Sequence, residues 1–582
     1  MTAIATDTFV RATSLVELRA SGRLVVRLDR HTVCLFADGD DVHAVDNRCP
    51  HMGFPLHRGT IADGILTCHW HHARFDLSSG GTFDQWADDL RRFPVELRGD
   101  DVYVDLAPAR DPVRHQRRRL RDGLERDIAL VLAKATIALD SVDPTGADAF
   151  RAGLDFGVER RGEGWGRGLT TLTCFMNLVP LLEPDDRPAA LYHGLADVAG
   201  DSAGEPPRFL LEPLPEAGAT PARLARWFGG FVEVRDAEGA ERALVSAVRS
   251  GASPSELADM LFAAATDHRY LDGGHTLDFV NKALEALDVA GWERAEPVLG
   301  SLAPVLAGSQ RMEEANAWRS PVDLVALLEA AFERLTDAVA TGNGRRGGWD
   351  GRAALVETVL GEDAAATVEA LLDALRAGAT EVEVASAVSL AAATRIARFP
   401  TSNEFGDWDT ALHTFTFANA VEQGLRRSPS VELVRGVLDA AMSVYLDRFL
   451  NVPATRVPQP APEADPEALL AELPGVFDRQ QQVEEAAKVV ASYLGADGDA
   501  ARLVATLGAA LVRENRDFHT IQCLEAAARQ HALVPEGDRP LPLLAAGRYL
   551  AAHATTTRSQ RQTFEIARRL DRGETLYEDD AA

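Results

Sequence analysis

Residues 49–72 read CPHMGFPLHRGTIADGILTCHWHH, and this stretch decides what the first part of the chain is. Cys49-Pro50-His51 is a C-x-H and Cys68-His69-Trp70-His71 is a C-x-x-H, with sixteen residues between His51 and Cys68. Each piece puts one thiol and one imidazole on its own tight loop. Two thiolates and two imidazoles suit a zinc ion, for which Cys₂His₂ is a common set. They equally suit a 2Fe-2S cluster with the cysteines on one iron and the neutral histidines on the other, which raises the potential above that of an all-cysteine cluster. The zinc-finger pattern places both histidines on one short helix. Here they are divided between two loops among strands, which favours the cluster.

The flanking sequence supplies those strands. GRLVVRLDRHTVCLFADGDDVHAVDNRC (22–49) has apolar runs broken by Asp-Gly and Gly-Asp, and FPVELRGDDVYVDL (93–106) repeats the pattern around Gly99-Asp100. The two loops in this setting closely resemble the Rieske family over roughly the first hundred residues. The resemblance implies an all-β domain over 8–106 and a 2Fe-2S cluster bound by Cys49, His51, Cys68 and His71; His69 and His72 stand outside the ligand positions. Gly53 and Pro55 fit a loop whose backbone amides approach the cluster sulfurs. Rieske proteins of respiratory complexes carry an extra cysteine in each loop, forming a disulfide. Here residue 54 is Phe and residue 70 is Trp, which places the domain with the ferredoxin and ring-hydroxylating-oxygenase branch. Cys34, in an apolar run, is expected to be a small core residue.

The whole chain of 582 residues holds 88 acidic and 60 basic residues, a net charge of −28 that argues against nucleic-acid binding. Five cysteines are too few for a disulfide scaffold, and no segment approaches a membrane span or a secretory leader, so the expected address is cytoplasmic. After residue 106 the character changes. A basic run from Arg110 to Arg121 is expected as a linker over 107–122 or as the solvated start of a helix, and 123–582 as one large helical domain. Loops are expected near 342–351 and 452–466.

The helical part repeats. Ala243–Leu284, Leu371–Val421 and Val489–Ala527 each read as a helix, a Gly-Ala corner, an Ala-rich helix, a polar loop and then His-Thr opening another helix. The histidines are His275, His413 and His519, and a weaker fourth copy puts His193 in the same slot. Asp272, Asp409 and Asp517 lie two to four residues before three of them and are suited to orient an imidazole. The fold class is thus a multidomain chain, an all-β Rieske domain followed by an all-α domain of repeated helical hairpins. His413-Thr-Phe-Thr-Phe-Ala-Asn-Ala gives the helical part a loose similarity to questin-oxidase-like helical proteins, from which no residue role is carried over.

The ring-hydroxylating oxygenases hold a mononuclear iron with D-x2-H-x4-H, and that spacing does not occur after residue 106. GxGxxG and P-loop motifs are also missing, so the electron donor is expected to be a separate reductase or ferredoxin. The leading expectation is an oxidoreductase, oxygenase chemistry included. Its cluster feeds a reaction centre for a small organic substrate built on His193, His275, His413, His519 and Asp409, with a second metal ion among the options. The alternatives are an electron carrier whose helical part is a docking or oligomerisation scaffold, and a non-redox helical enzyme with a regulatory cluster.

Overall fold

The computed structural model describes residues 8–107, 112–215, 218–461, 465–574 and 576–577. A β-sheet domain at the N-terminus is followed by a large helical region. The chain divides into two compact units, Met1–Pro144 with Gln560–Ala582, and Thr145–Ser559.

Among the described residues the first unit carries ten strands: β1 (Phe9–Ser14), β2 (Arg23–Leu28), β3 (His31–Asp38), β4 (Asp41–Asp46), β5 (Thr60–Ala62), β6 (Ile65–Thr67), β7 (Arg74–Asp76), β8 (Arg92–Phe93), β9 (Val95–Arg98) and β10 (Asp101–Asp105). They form three sheets in the orders β1-β10-β9, β2-β3-β4-β8 and β5-β6-β7, and every pairing is antiparallel. The turns sit where the sequence allows left-handed backbone. Ala62 pairs with Ile65 across Asp63 (φ 53°) and Gly64 (φ 73°), the two positive φ values that a tight two-residue hairpin needs.

Strand β3 is buried on both faces. Val33 and Leu35 enter one apolar cluster with Ala44, Phe93, Val102 and Val104. Cys34 and Phe36 point the other way, into a second cluster with Val45, Leu66, Phe75 and both loop cysteines, as the two-residue period of a strand requires. Cys34 is a core residue, and burial pushes its thiol up to about 12.

The segment expected as a linker over 107–122 is helical from Pro112; residues 108–111 lie outside the described residues. Helix α2 (Pro112–Arg126; α1 is the short Leu15–Ser21) turns Leu120 and Leu124 inward, and Gly123 lets Leu132 of α3 (Ala129–Asp140) approach closely. Its basic run is also not all solvated. The Arg119 guanidinium is buried and bonds Asp88 at 2.7 Å and Asp122 at 3.1 Å. The first compact unit therefore runs past residue 122 and takes in both helices. A helix at the far end of the chain, Ser559–Asp571, buries Phe564, Ala567 and Leu570, and beyond it Tyr577 packs edge-on to Phe54 at 4.8 Å.

The second unit is helical throughout its regular elements. Each of the three segments expected to repeat holds three helices: Ala237–Arg249, Pro254–Asp267 and His275–Ala290; Ala364–Ala377, Glu381–Ala397 and Phe405–Arg427; Val483–Gly495, Ala500–Arg513 and Phe518–Leu533. Middle helices start on side-chain caps, with capping boxes at Ser253/Glu256 and Thr380/Glu383. Residues 343–351 hold a single short 3₁₀ turn, and 452–461 form no regular element; residues 462–464 lie outside the described residues. Among the described residues no helix is long and apolar enough to cross a membrane.

Candidate functional site

The two Cys/His loops of the first unit are closed the same way. The Cys49 amide donates to the Phe54 carbonyl at 2.8 Å, and the Cys68 amide donates to the Ala73 carbonyl at 2.8 Å. Gly53 takes a φ of 84° inside the first loop and His72 a φ of 63° inside the second. Within each ring the amides turn toward the cysteine sulfur, those of His51 and Met52 to Cys49, and those of Trp70 and His71 to Cys68. Donors aimed at a sulfur favour its thiolate. Both cysteines are buried and their sulfurs share a hydrogen bond. That bond pulls Cys68 down to about 6 while its partner Cys49 is pushed up. The His51 and His71 rings stand 4.8 Å apart, edge to face.

The loops thus bring Cys49, His51, Cys68 and His71 together. Burial, followed by the Lys134 charge, lowers His51 to about 4, so its imidazole is neutral at ordinary pH. Its Nδ1 is buried with no hydrogen-bond partner. The Trp86 ring lies 4.6 Å from His51 and the Trp70 ring 4.4 Å from His71, centroid to centroid, and His71 itself stays exposed.

Lys134, on α3, has no counterpart among the sequence expectations. Its ammonium donates to the Pro50 carbonyl at 2.6 Å and the His51 carbonyl at 2.8 Å, and pairs with Asp88 at 3.2 Å. One helix cation thereby holds the first loop from behind. Lysine scarcity was the available signal: Lys134, Lys282 and Lys488 are the only lysines in the chain.

In the helical unit three of the four repeat histidines converge. One ring nitrogen from each of His275, His413 and His519 falls within 4.8 Å of the others. His413 and His519 meet Nε2 to Nε2 at 3.0 Å, and the His275 ring centroid is 4.4 Å from His413 and 5.7 Å from His519. Burial first, and the neighbouring imidazoles second, push His275 down to about 4 and His413 to about 3. Both are neutral at ordinary pH. Phe279 and Phe518 each stand 5.7 Å from His275 and form an aromatic wall beside it.

Local structure departs from the repeat in three respects. His275 opens its helix and His519 is the second residue of its own, but His413 lies two turns inside Phe405–Arg427, because Glu404 and Asp407 form a capping box that starts the helix earlier. His193 is not brought into the group: it is buried within Arg187–Ser202 against Phe175 and Tyr192. The acids also differ. Asp272 lies in the loop before its helix and accepts from the Gln310 amide at 2.7 Å, while Asp409 accepts from Tyr549 Oη at 2.5 Å. Asp517 caps its helix through the Thr520 amide at 3.0 Å and keeps its other oxygen 3.9 Å from His519 Nδ1.

Beneath the histidines the same helices carry a buried ionic network. Gln522 donates to Asp278, whose carboxyl is pushed up to about 7 by burial. Further along, Lys282 Nζ bonds Glu525 at 2.7 Å and Glu285 at 3.0 Å, and Arg529 bonds the same two acids at 2.9 and 2.7 Å. Beside the group, an open cleft of about 340 Å³ is lined by Arg167, Asp197, Arg516, Asp517, Phe518 and His519. Burial raises Asp197 to about 6.

The family model described as the Rieske [2Fe-2S] domain matches residues 8–94. Apoptosis-inducing factor 3 of Homo sapiens is 38% identical over 80 residues, 14% of this chain and only 13% of that protein's length. The 3-phenylpropionate/cinnamic acid dioxygenase ferredoxin subunit of Escherichia coli (strain K12) is 32% identical over 87 residues, 14% of this chain and 82% of that subunit. Among solved structures, the ferredoxin of carbazole 1,9a-dioxygenase from Nocardioides aromaticivorans IC177 is similar at 27% identity, over 17% of this chain and 97% of that one, with a TM-score of 0.16.

Proposed function

We propose, since the chain belongs to the Rieske [2Fe-2S] family through residues 8–94, that its N-terminal electron-transfer domain serves a reaction centre in the helical unit formed by His275, His413 and His519. The domain binds a 2Fe-2S cluster, which supplies one-electron transfer when bound. In this reading Cys49 and Cys68 ligate one iron and His51 and His71 the other. The donors present fit that group: two buried thiols in mutual contact, amides aimed at both sulfurs, and a buried His51 Nδ1 with no partner of its own.

The observation that carries the acceptor site is the meeting of His275, His413 and His519 from three separate helices, His413 and His519 being 106 residues apart in the chain. Covalent attachment holds donor and acceptor at high effective concentration. The cleft beside His519 has the volume for a small organic substrate, and in this reading the chain is an oxidoreductase acting on it. Electrons come from a separate reductase or ferredoxin, the arrangement that the name of the dioxygenase ferredoxin subunit supports.

Oxygen uptake by protein reduced through an added reductase tests this reading. Cys49→Ser and the pair His413→Ala/His519→Ala each lower the rate about tenfold or more, while unchanged uptake in the histidine pair overturns it. The coverage of 82% of a ferredoxin subunit favours a second reading, an electron carrier with a helical scaffold, for which only Cys49→Ser has an effect.

A further inference from the structure

The His275, His413 and His519 rings meet from three separate helices, with two of their nitrogens within hydrogen-bond distance. Two nitrogens bound to one ion at about 2.1 Å are separated by about 3.0 Å when they subtend a right angle at it, and by about 3.4 Å at the tetrahedral angle. His413 Nε2 and His519 Nε2 are 3.0 Å apart, and a ring nitrogen of His275 lies within 4.8 Å of both, a bound just wider than the roughly 4.2 Å that two ligands of one ion can span, so a small inward shift of His275 completes the set. A hydrogen bond between two imidazoles accounts for the 3.0 Å contact but leaves the third ring without a reason to join it.

The surroundings would leave open positions on an ion held by these three rings. Phe279 and Phe518 shield one side. Asp517 caps the His519 helix and leaves its other oxygen 3.9 Å from His519 Nδ1, beyond hydrogen-bond reach but close enough to place negative charge beside that ring. Among the described residues no carboxylate joins the cluster of donors, so three imidazole ligands would leave a bound ion its full charge and its remaining positions free. His519 is also part of the wall of the 340 Å³ cleft, which gives those positions access to a small molecule.

We propose that His275, His413 and His519 form a mononuclear site for a divalent first-row transition ion, with the open coordination positions reached from the cleft along Arg516–His519. The choice of a redox-active ion, iron, rests on the function proposed above. The reduced cluster gives up one electron, and the ion takes it up in passing from the trivalent to the divalent state.

The test uses full-length protein purified without a histidine tag, with its cluster intact. It is stripped of loosely held metal and titrated anaerobically with Co²⁺, and then with Fe²⁺. One ion binds per chain beyond the two cluster irons, and the Co²⁺ visible bands report nitrogen ligation. His413→Ala and His519→Ala weaken binding about a hundredfold or more, whereas His531→Ala, on the same helix as His519 but outside the group, does not. His413→Gln, closer in size and polarity, behaves as His413→Ala if coordination is what was lost. Absence of uptake by the unmodified protein, or equal uptake by all variants, overturns the site. The two proposals fail separately. Oxygen uptake that depends on the histidines without metal binding removes the ion and keeps the reaction centre. Metal binding with oxygen uptake indifferent to the histidines does the reverse.

Discussion

Replacing Lys134 by Met removes one cation from behind the first cluster loop, and the structure sets the size of the effect. The ammonium makes two bonds to loop carbonyls, at 2.6 and 2.8 Å, and one ion pair to Asp88 at 3.2 Å. Removing one partner of a buried pair costs about 3–5 kcal/mol. Asp88 retains Arg119 at 2.7 Å, so the loss falls at the lower end, about 3 kcal/mol. With a urea slope of about 2 kcal/mol/M, the midpoint for loss of the cluster falls by about 1.5 M. Visible absorbance follows the cluster, and far-UV dichroism follows the helical unit, whose midpoint stays in place. The variant's potential also falls, by tens of millivolts, because a positive charge near the cluster favours its reduced, more negative state; a unit charge about 10 Å away at an effective dielectric of about 20 is worth about 1.7 kcal/mol before Asp88 offsets part of it. A cluster midpoint and a potential both equal to those of the parent protein would show that Lys134 does not support the loop.

Three other perturbations separate the elements of the account. Cys68→Ser removes the cluster absorbance while leaving the far-UV spectrum of the helical unit intact; a retained Rieske EPR signal would contradict the ligand assignment. Lys282→Met leaves Glu285 and Glu525 buried with Arg529 as their remaining cation, and lowers the urea stability of the helical unit by about 3–5 kcal/mol; a change below about 1 kcal/mol would refute the network's role. Asp447, buried near Arg395 and Thr414, is pushed up to about 7 by burial, above its unfolded value near 4. Between those values the folded state holds a proton that the unfolded state has released, so stability falls as pH rises from about 4 to about 7 and then levels. Asp447→Asn removes that slope, and its melting-temperature advantage over the parent grows across the same window to at most about 4 kcal/mol in equivalent stability. An offset independent of pH would count against the assignment.

Much of the β domain was legible because its signals are local. Dipeptides such as Gly39-Asp40 and Gly99-Asp100 mark turns that the backbone honours with positive φ, and the spacing around Cys49 and Cys68 requires no knowledge of distant contacts. The repeat also disclosed three histidines that meet in space. What it could not disclose was decided by tertiary context. The capping box at Glu404 places His413 in mid-helix, and His193 shares the repeat slot but packs against Phe175. The basic run looked solvated until Asp88 supplied a partner for Arg119, and Tyr577 meets Phe54 across most of the chain's length. Lys134 carried no motif at all; its role exists only once α3 is folded against the loop.

The most direct measurement of electron passage from the cluster to the histidine centre is the decay of the reduced cluster's EPR signal after rapid mixing with oxygen. The account predicts a first-order decay independent of protein concentration and slowed about tenfold or more in His413→Ala/His519→Ala. An equal rate in that variant would contradict it.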